Sequence, residues 1–509
     1  MNKGLATADN NRFLRLWHEV DINKIGFGFK SRYEAKKSGL KWFPYNKGGS
    51  YRKWYGNNEY VVNWYDDGYE IRNYRDKNGR LLSRPQNMDY YFREGITWSA
   101  LTSGNLSSRY TEIGYIFDTK GPICFPRNNE DIYLLLGFLN SKLSMEALEI
   151  LAPTLDFNPG SISKLPIVNK NMITLQIDQL VNQNISISKT DWDSFETSWD
   201  FEEHPLLKYR NGADTIEEAY SNWADFAEKQ FNKLKANEEE LNRIFIDIYG
   251  LQDELTPDVD DNDVTVRKAD PVRDVKSFIS YAVGCMFGRY SLDKKGLIYA
   301  GGEFDIDEYK IYKADEDGII PITDSEYFHD DIVSKFIDFV KTVFGPNTLS
   351  QNLEFIANAI GRNDNETAAD AIRRYFLNGF YKDHTTIYQK RPIYWLFTSG
   401  KEKAFNALIY IHRYNKDTLA KMRTDYLHML INKVSSEVNR LNSLMASYIP
   451  KDEKRRYEKL LDKLNKQLQE MGKYDELLRH YAERGIEIDL DDGVKINYTK
   501  FDGLLANIR

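Results

Sequence analysis

The chain has 509 residues, 41% hydrophobic and 29% charged, a composition that excludes an intrinsically disordered or fibrous protein. No apolar run approaches the roughly 20 residues of a membrane helix, and the first residues lack the basic-then-apolar build of a signal peptide. A cytoplasmic protein with no membrane partner is expected. The net charge of -8 conceals an asymmetry: residues 1–128 carry 21 Lys and Arg against 13 Asp and Glu, a net +8, which leaves 48 against 64, a net -16, for the remainder. Such a split points to a nucleic-acid-contacting module joined to an acidic scaffold.

In chain order, residues 1–20 form a Gly-containing polar loop followed by a short amphipathic segment with Phe13, Leu14, Leu16, Trp17 and Val20. The start is abrupt, as expected of a fragment or split gene product. Residues 41–57, KWFPYNKGGSYRKWYGN, alternate cations with aromatics around Gly48-Gly49. Two readings are open: a surface for a flat polyanion such as nucleic acid, with Lys41, Lys47, Arg52 and Lys53 on phosphates, or a hairpin whose aromatics are core. Residues 60–65 and 69–74 are predicted strands joined by a turn at Asp66-Asp67-Gly68, and Asn78-Gly79 marks another turn. Residues 95–102, 109–118 and 123–126 are again strand-like.

At 131–151 the period becomes helical, with Pro153 ending the run, and 157–168 reads as an extended polar strip. Residues 171–215 mix short helices with loops, 191–204 being a candidate linker. Helices are predicted over 216–248, from Asp270-Pro271 through Met286, and over 330–344, 349–360, 367–377 and 401–412, while 288–322 has too loose a pattern to place. Two long helices, 417–447 and 452–483, are predicted to form an antiparallel hairpin. The fold class is therefore α+β: a β-rich lobe at 1–170, a linker and helical spacer at 171–265, a mainly helical domain with a loop-rich insert at 266–400, and a long-helix region at 401–509.

Catalytic motifs are missing. The seven histidines show no metal-ligand spacing, Gly26-Phe27-Gly28 fails as a dinucleotide fingerprint because Ser31 stands at the third glycine, and no phosphate loop or nucleophile elbow occurs. No metal site is expected, and Cys124 and Cys285 read as buried thiols.

Several segments carry a family resemblance. Gly4-Leu5-Ala6-Thr7-Ala8-Asp9-Asn10 followed by Phe13 resembles the G-x-x-T-G-x-N-x-x-F opening of the target-recognition region of single-chain restriction-modification-type adenine methyltransferases, with Ala8 in place of the usual Gly. WFPYNKGG at 42–49, ITWSALTSGNLSSRY at 96–110, LLLGFLN at 134–140 and PTLDFNPGSISKLPI at 153–167 look like later parts of that region. ELNRIFIDIYGLQDELTPD, ISYAVGCMFGRYSLD and RPIYWLFTSGKEKAFNALIYIHRYNKDTL resemble the C-terminal half of the adenine-specific methyltransferase of BREX phage-defence systems.

Enzymes of this family transfer a methyl group from S-adenosylmethionine to a flipped adenine with an Asn/Asp-Pro-Pro-Tyr/Phe tetrapeptide. None of the 14 prolines here are adjacent, so that tetrapeptide is not in this sequence, and neither is the Gly-rich cofactor loop. The resemblance implies a DNA target-recognition and helical portion that is inactive alone. No cofactor is expected in this chain, and double-stranded DNA is the expected partner, beside a methyltransferase domain in another chain or other defence proteins. On the resemblance, the DNA-binding residues are Thr7, Asn10, Arg12, Lys41, Trp42, Tyr45, Lys47, Arg52, Lys53, Trp54, Ser108 and Arg109, with Ser107 beside them. The alternative is a protein-interaction or regulatory cassette that docks to partner defence proteins through its acidic half.

Overall fold

The computed structural model describes residues 1–102, 104–151, 156–167, 174–446 and 450–508. Pro153, Val168 and Ser447, expected to end a helix, a strip and a helix, lie outside them. The fold is α+β, and the chain divides into two units.

The first unit comprises Met1–Trp17, Ile22–Glu202 and Asn222–Ala269. Its described residues form two sheets. Strands β1 (Leu14–Leu16), β2 (Trp42–Asn46), β3 (Tyr60–Asn63), β4 (Gly95–Trp98), β5 (Ser108–Thr111), β6 (Ile116–Phe117) and β7 (Ile123–Cys124) are all short. One sheet has the order β1-β3-β2-β6, antiparallel except that β2 and β6 run parallel at Tyr45↔Ile116; the other, β5-β4-β7, is antiparallel with Ile96 opposite both Tyr110 and Cys124. The first sheet closes on Leu5, Phe13, Phe43, Trp64, Ile71, Phe92 and Phe117. A second core joins Trp54, Ile96 and Trp98 to the helices Ile132–Leu139 and Thr174–Trp192 and to the later part of Ile216–Tyr249, through Leu136, Val181 and Leu234.

Residues 69–74, predicted as a strand, instead continue a helical turn, Tyr65–Arg72. Asp66, Asp67 and Gly68 all have left-handed backbone, with φ of 48, 57 and 71°. Asp tolerates this conformation better than most residues, and the Asp67 carboxylate is clamped by Arg32 at 2.5 and 2.8 Å and by Arg72 at 2.7 Å. Gly68 is required by packing as well, since a Cβ there would stand 2.6 Å from the Trp64 ring. The hairpin-type signal was therefore a left-handed turn that leads into a helix. The predicted 171–215 mixture contains one continuous 19-residue helix, Thr174–Trp192.

The second unit comprises His18–Asp21, Glu203–Ser221 and Asp270–Arg509. Its Pro271–Met286 helix starts as predicted: the Asp270 carboxylate accepts the Arg273 N–H at 2.7 Å, and Pro occupies the first turn. Ile332–Phe344 and Leu349–Ala359 also form where predicted, and Ala368–Tyr375 opens with a Thr367/Asp370 capping box and runs into a π-helical turn, Phe376–Phe380. Helix His428–Met445, preceded by a π-helical stretch, Met422–Leu427, packs along Lys451–Glu483, of which Leu464, Met471, Tyr474 and Leu478 are buried. Asp475 accepts Arg423 at 2.7 Å and His428 at 2.8 Å across it. No described helix is long and apolar enough to cross a membrane.

The 401–412 prediction is corrected. It contains strand β10 (Asn406–Tyr410), flanked by β8 (Ile319–Pro321) and β9 (Tyr394–Thr398) in an antiparallel sheet. Every residue of β10 is buried, and an apolar run covered on both faces carries no alternation to separate it from a buried helix.

Four buried histidines, His18, His204, His384 and His412, make this unit sensitive to acid, the His18 imidazole being pulled well below its usual range chiefly by burial. His384 Nε2 accepts the backbone N–H groups of Ile393 and Tyr394 at 3.1 and 3.0 Å, His412 Nε2 lies 2.9 Å from the His18 carbonyl, and His204 Nδ1 accepts the Leu206 N–H at 3.2 Å. Burial pulls His204, His384 and His412 down to about 3, with Arg289 adding to the effect on the last two. Below pH 6.5 the unfolded chain takes up protons that the folded unit refuses, so stability is full above that pH and falls as pH drops towards 3. Asp317, pushed up to about 6 by burial and by Asp315, acts in the opposite sense with a single proton. The unfolding free energy of this unit, from urea titration, is expected to fall between pH 7 and pH 5 by about 2 kcal/mol for each of His204, His384 and His412. Equal unfolding free energies at the two pH values would contradict the assignment.

Candidate nucleic-acid interface

The N-terminal motif is held by backbone pairing. Leu5 N–H donates to the Phe117 carbonyl at 2.8 Å, and Ala6 exchanges hydrogen bonds with Arg84 at 3.0 and 2.9 Å. A Cβ on Gly4 would lie 1.8 Å from the Phe117 carbonyl oxygen, so only glycine fits. Ala8 sits at φ 63°, which explains why the family pattern has glycine there. Asp9 caps the short Asn10–Phe13 helix by accepting the Arg12 N–H at 3.1 Å, and the buried Thr7 hydroxyl donates to Asn10 Oδ1 at 2.5 Å. Arg12 and Asn10 are exposed; Arg12 pairs with Glu70 at 2.8 Å and covers the Tyr74 ring at 5.0 Å.

Residues 41–57 are split between surface and interior. Lys41 and Lys47 are half-buried, lying 5.3 Å from the Trp42 ring centre and 4.4 Å from that of Tyr60. Trp42 and Tyr45, on β2, are core; the Tyr45 hydroxyl donates to Asp118 at 2.7 Å, and burial pushes its pKa up. The expected open cationic surface does not extend to Arg52 and Lys53, each only 5% exposed. The Arg52 guanidinium donates to Asp191 at 2.6 Å, to the Tyr55 carbonyl at 2.8 Å and to the Ser188 carbonyl at 3.2 Å, and lies 5.0 Å from the Trp192 ring centre. Lys53 pairs with Glu238, whose other oxygen accepts the buried Trp54 indole N–H at 2.6 Å.

Ser108 and Arg109 are likewise interior. The Ser108 backbone exchanges hydrogen bonds with the Asn140 side chain at 2.8 and 3.0 Å. The Arg109 guanidinium donates to the Arg52 carbonyl at 3.1 Å, while burial and the Arg52 charge pull it down to about 10. The Ser107 hydroxyl accepts the Arg52 N–H at 3.2 Å. Trp42, Tyr45, Arg52, Lys53, Trp54, Ser108 and Arg109 therefore face the inside of the unit. Their counterions come from 191 and 238, in the stretch predicted as linker and spacer, which no local pattern connects to 52–54.

Exposed cations occur elsewhere in the same unit. Arg75, Lys77, Arg80 and Arg84 are all exposed, around the Asn78-Gly79 turn. That turn was legible in the sequence, but the basic residues around it were not singled out.

Replacing one partner of a buried ion pair strands the other charge, at a cost of about 3–5 kcal/mol. Arg52→Ala and Lys53→Ala are each expected to lower the stability of the first unit by that amount in urea unfolding followed by tryptophan fluorescence, with Lys47→Ala changing it by less than about 0.5 kcal/mol. Equal tolerance of all three would show that Arg52 and Lys53 are surface residues. Ala8→Gly is expected to raise stability by about 1 kcal/mol by relieving left-handed strain, and a loss in the same assay would refute that explanation.

No protein-family model matches the chain. Two curated proteins match it from end to end. An "Adenine-specific methyltransferase PglX" of Lacticaseibacillus casei (strain Zhang) is 45% identical over 507 residues, covering 98% of this chain and 42% of the relative. An "Adenine-specific methyltransferase BrxX" of Escherichia coli O9:H4 (strain HS) is 39% identical over 540 residues, covering 100% of this chain and 43% of the relative. The chain spans less than half the length of either protein. It is a homologue of the PglX and BrxX adenine-specific methyltransferases, matched along essentially all of its own length.

Proposed function

We propose that this chain is the sequence-specific DNA-recognition portion of a BREX-type or restriction-modification adenine-specific methyltransferase, and that S-adenosylmethionine and the reacting adenine are handled by a catalytic domain outside this sequence. The observation that carries the reading is the match along 98 to 100% of the chain to two adenine-specific methyltransferases. The lack of adjacent prolines in the chain supports the division of labour, because the family's tetrapeptide needs two. We place the protein in the cytoplasm, where its DNA substrate would be.

Within this reading the first unit meets the duplex. The basic N-terminal stretch of that unit, residues 1–128 with a net +8, supplies the sequence-independent attraction to phosphates, and side chains held on its sheets supply the base readout. Asn10 and Arg12 stand exposed on a short helix capped by Asp9 and braced by the buried Thr7 hydroxyl, an element suited to orient a neighbouring catalytic lobe. The second reading, docking to partner defence proteins, is favoured by the net charge of -16 over residues 129–509, and it assigns the acidic half to protein contacts.

The purified 509-residue chain is expected to bind duplex DNA with an affinity that falls steeply with salt, and to transfer no methyl group from S-adenosylmethionine to that DNA. Methylated adenine formed by this chain alone would overturn the proposal. So would the absence of duplex binding at low salt, which would leave the docking reading.

A further inference from the structure

We infer that residues 74–84, a rigid basic β-arch, are the element with which the first unit grips the DNA backbone; the inference rests on the DNA-recognition reading above. With Arg52, Lys53 and Arg109 inside, the positive charge of the N-terminal region must be displayed elsewhere. Arg75, Lys77, Arg80 and Arg84 are exposed, and Asp76 is the sole acidic residue from 71 to 88.

The arch is stiff for a surface segment. The Leu82 N–H donates to the Tyr74 carbonyl at 2.9 Å, Asp76 N–H to the Arg80 carbonyl at 2.9 Å, and Arg75 pairs antiparallel with Leu81. The Asp76 carboxylate is turned inward, accepting the N–H groups of Asn78 and Arg80 at 2.9 Å each, and so closes the turn while Gly79 takes φ 81°. The base is fixed by the buried Ser83 hydroxyl, which donates to the Ile71 carbonyl, and by the pairing of Arg84 with Ala6 of the N-terminal motif.

What the arch presents fits a nucleic-acid backbone. Four of the other cations on this unit are already paired: Arg12 with Glu70, Lys36 with Asp66, and Arg32 and Arg72 with Asp67. Among the described residues, the side chains of Lys77, Arg80 and Arg84 make no ion pair or hydrogen bond. Leu81 and Leu82 stand 39% and 38% exposed on the same arch. A narrow turn of this kind, closed by a single β-bridge, can approach the groove edge of B-DNA, where cations meet the flanking phosphates and leucines meet sugar or thymine methyl surface. An acidic protein partner would use the same cations, but it would not give the salt law of counterion release.

The test is fluorescence anisotropy of the full chain with a labelled mixed-sequence duplex at several salt concentrations. The K77A/R80A/R84A variant is expected to bind at least tenfold more weakly, and its log–log salt slope to fall by about 2 to 3, since each phosphate contact contributes about 0.9. The K454A/R455A/K459A control, which removes the same charge from exposed positions on Lys451–Glu483, is expected to match the parent. Far-ultraviolet circular dichroism checks that both variants keep the fold. If the arch variant and the parent share affinity and slope, the arch is not the grip, and DNA recognition stands with another surface. If the parent itself binds no duplex at any salt concentration, the DNA-recognition reading falls and the inference falls with it.

Discussion

The first unit depends on burying two cations beside two carboxylates distant in sequence. Arg52 meets Asp191 at 2.6 Å, and Lys53 meets Glu238, each partner almost fully withdrawn from water. Charges in such surroundings persist only when their remaining hydrogen-bonding capacity is filled, and here backbone carbonyls and the Trp54 indole fill it. The consequence is structural: the loop after β2 is tied to the helices Thr174–Trp192 and Ile216–Tyr249 through Arg52, Lys53 and Trp54. Burial of these pairs also removes the two cations from any surface role.

That arrangement explains how much could be read from the sequence. Helices with local punctuation were legible: Asp270-Pro271 announces Pro271–Met286 through a cap and a favoured first-turn proline. The terminal helix pair was legible because apolar residues recur at helical spacing through Lys451–Glu483. Arg52 and Lys53 were not, since a cation beside aromatics looks the same whether its counterion is a phosphate or a carboxylate more than a hundred residues away. Strand β10 was misread for a related reason: burial on both faces erases the alternation that identifies a strand.

The N-terminal motif shows where a pattern becomes physics. Gly4 is dictated by its approach to the Phe117 carbonyl, and the position of Ala8 by left-handed backbone. Asp9 and Thr7 organise one short turn by hydrogen bonds. This turn is pinned through Ala6 to Arg84, at the base of the basic arch. The family-like motif and the exposed cations thus belong to one connected surface element, although nearly seventy residues separate them in the chain.

Hydrogen–deuterium exchange of the full chain with and without duplex DNA tests this organisation most directly. Amides of residues 74–84 are expected to gain protection on binding, while those of residues 52–54, already interior, exchange slowly in both states. Protection that appears at residues 52–54 and leaves 74–84 unchanged would show that the buried cations open to the DNA, and would contradict the division between internal pairs and external grip.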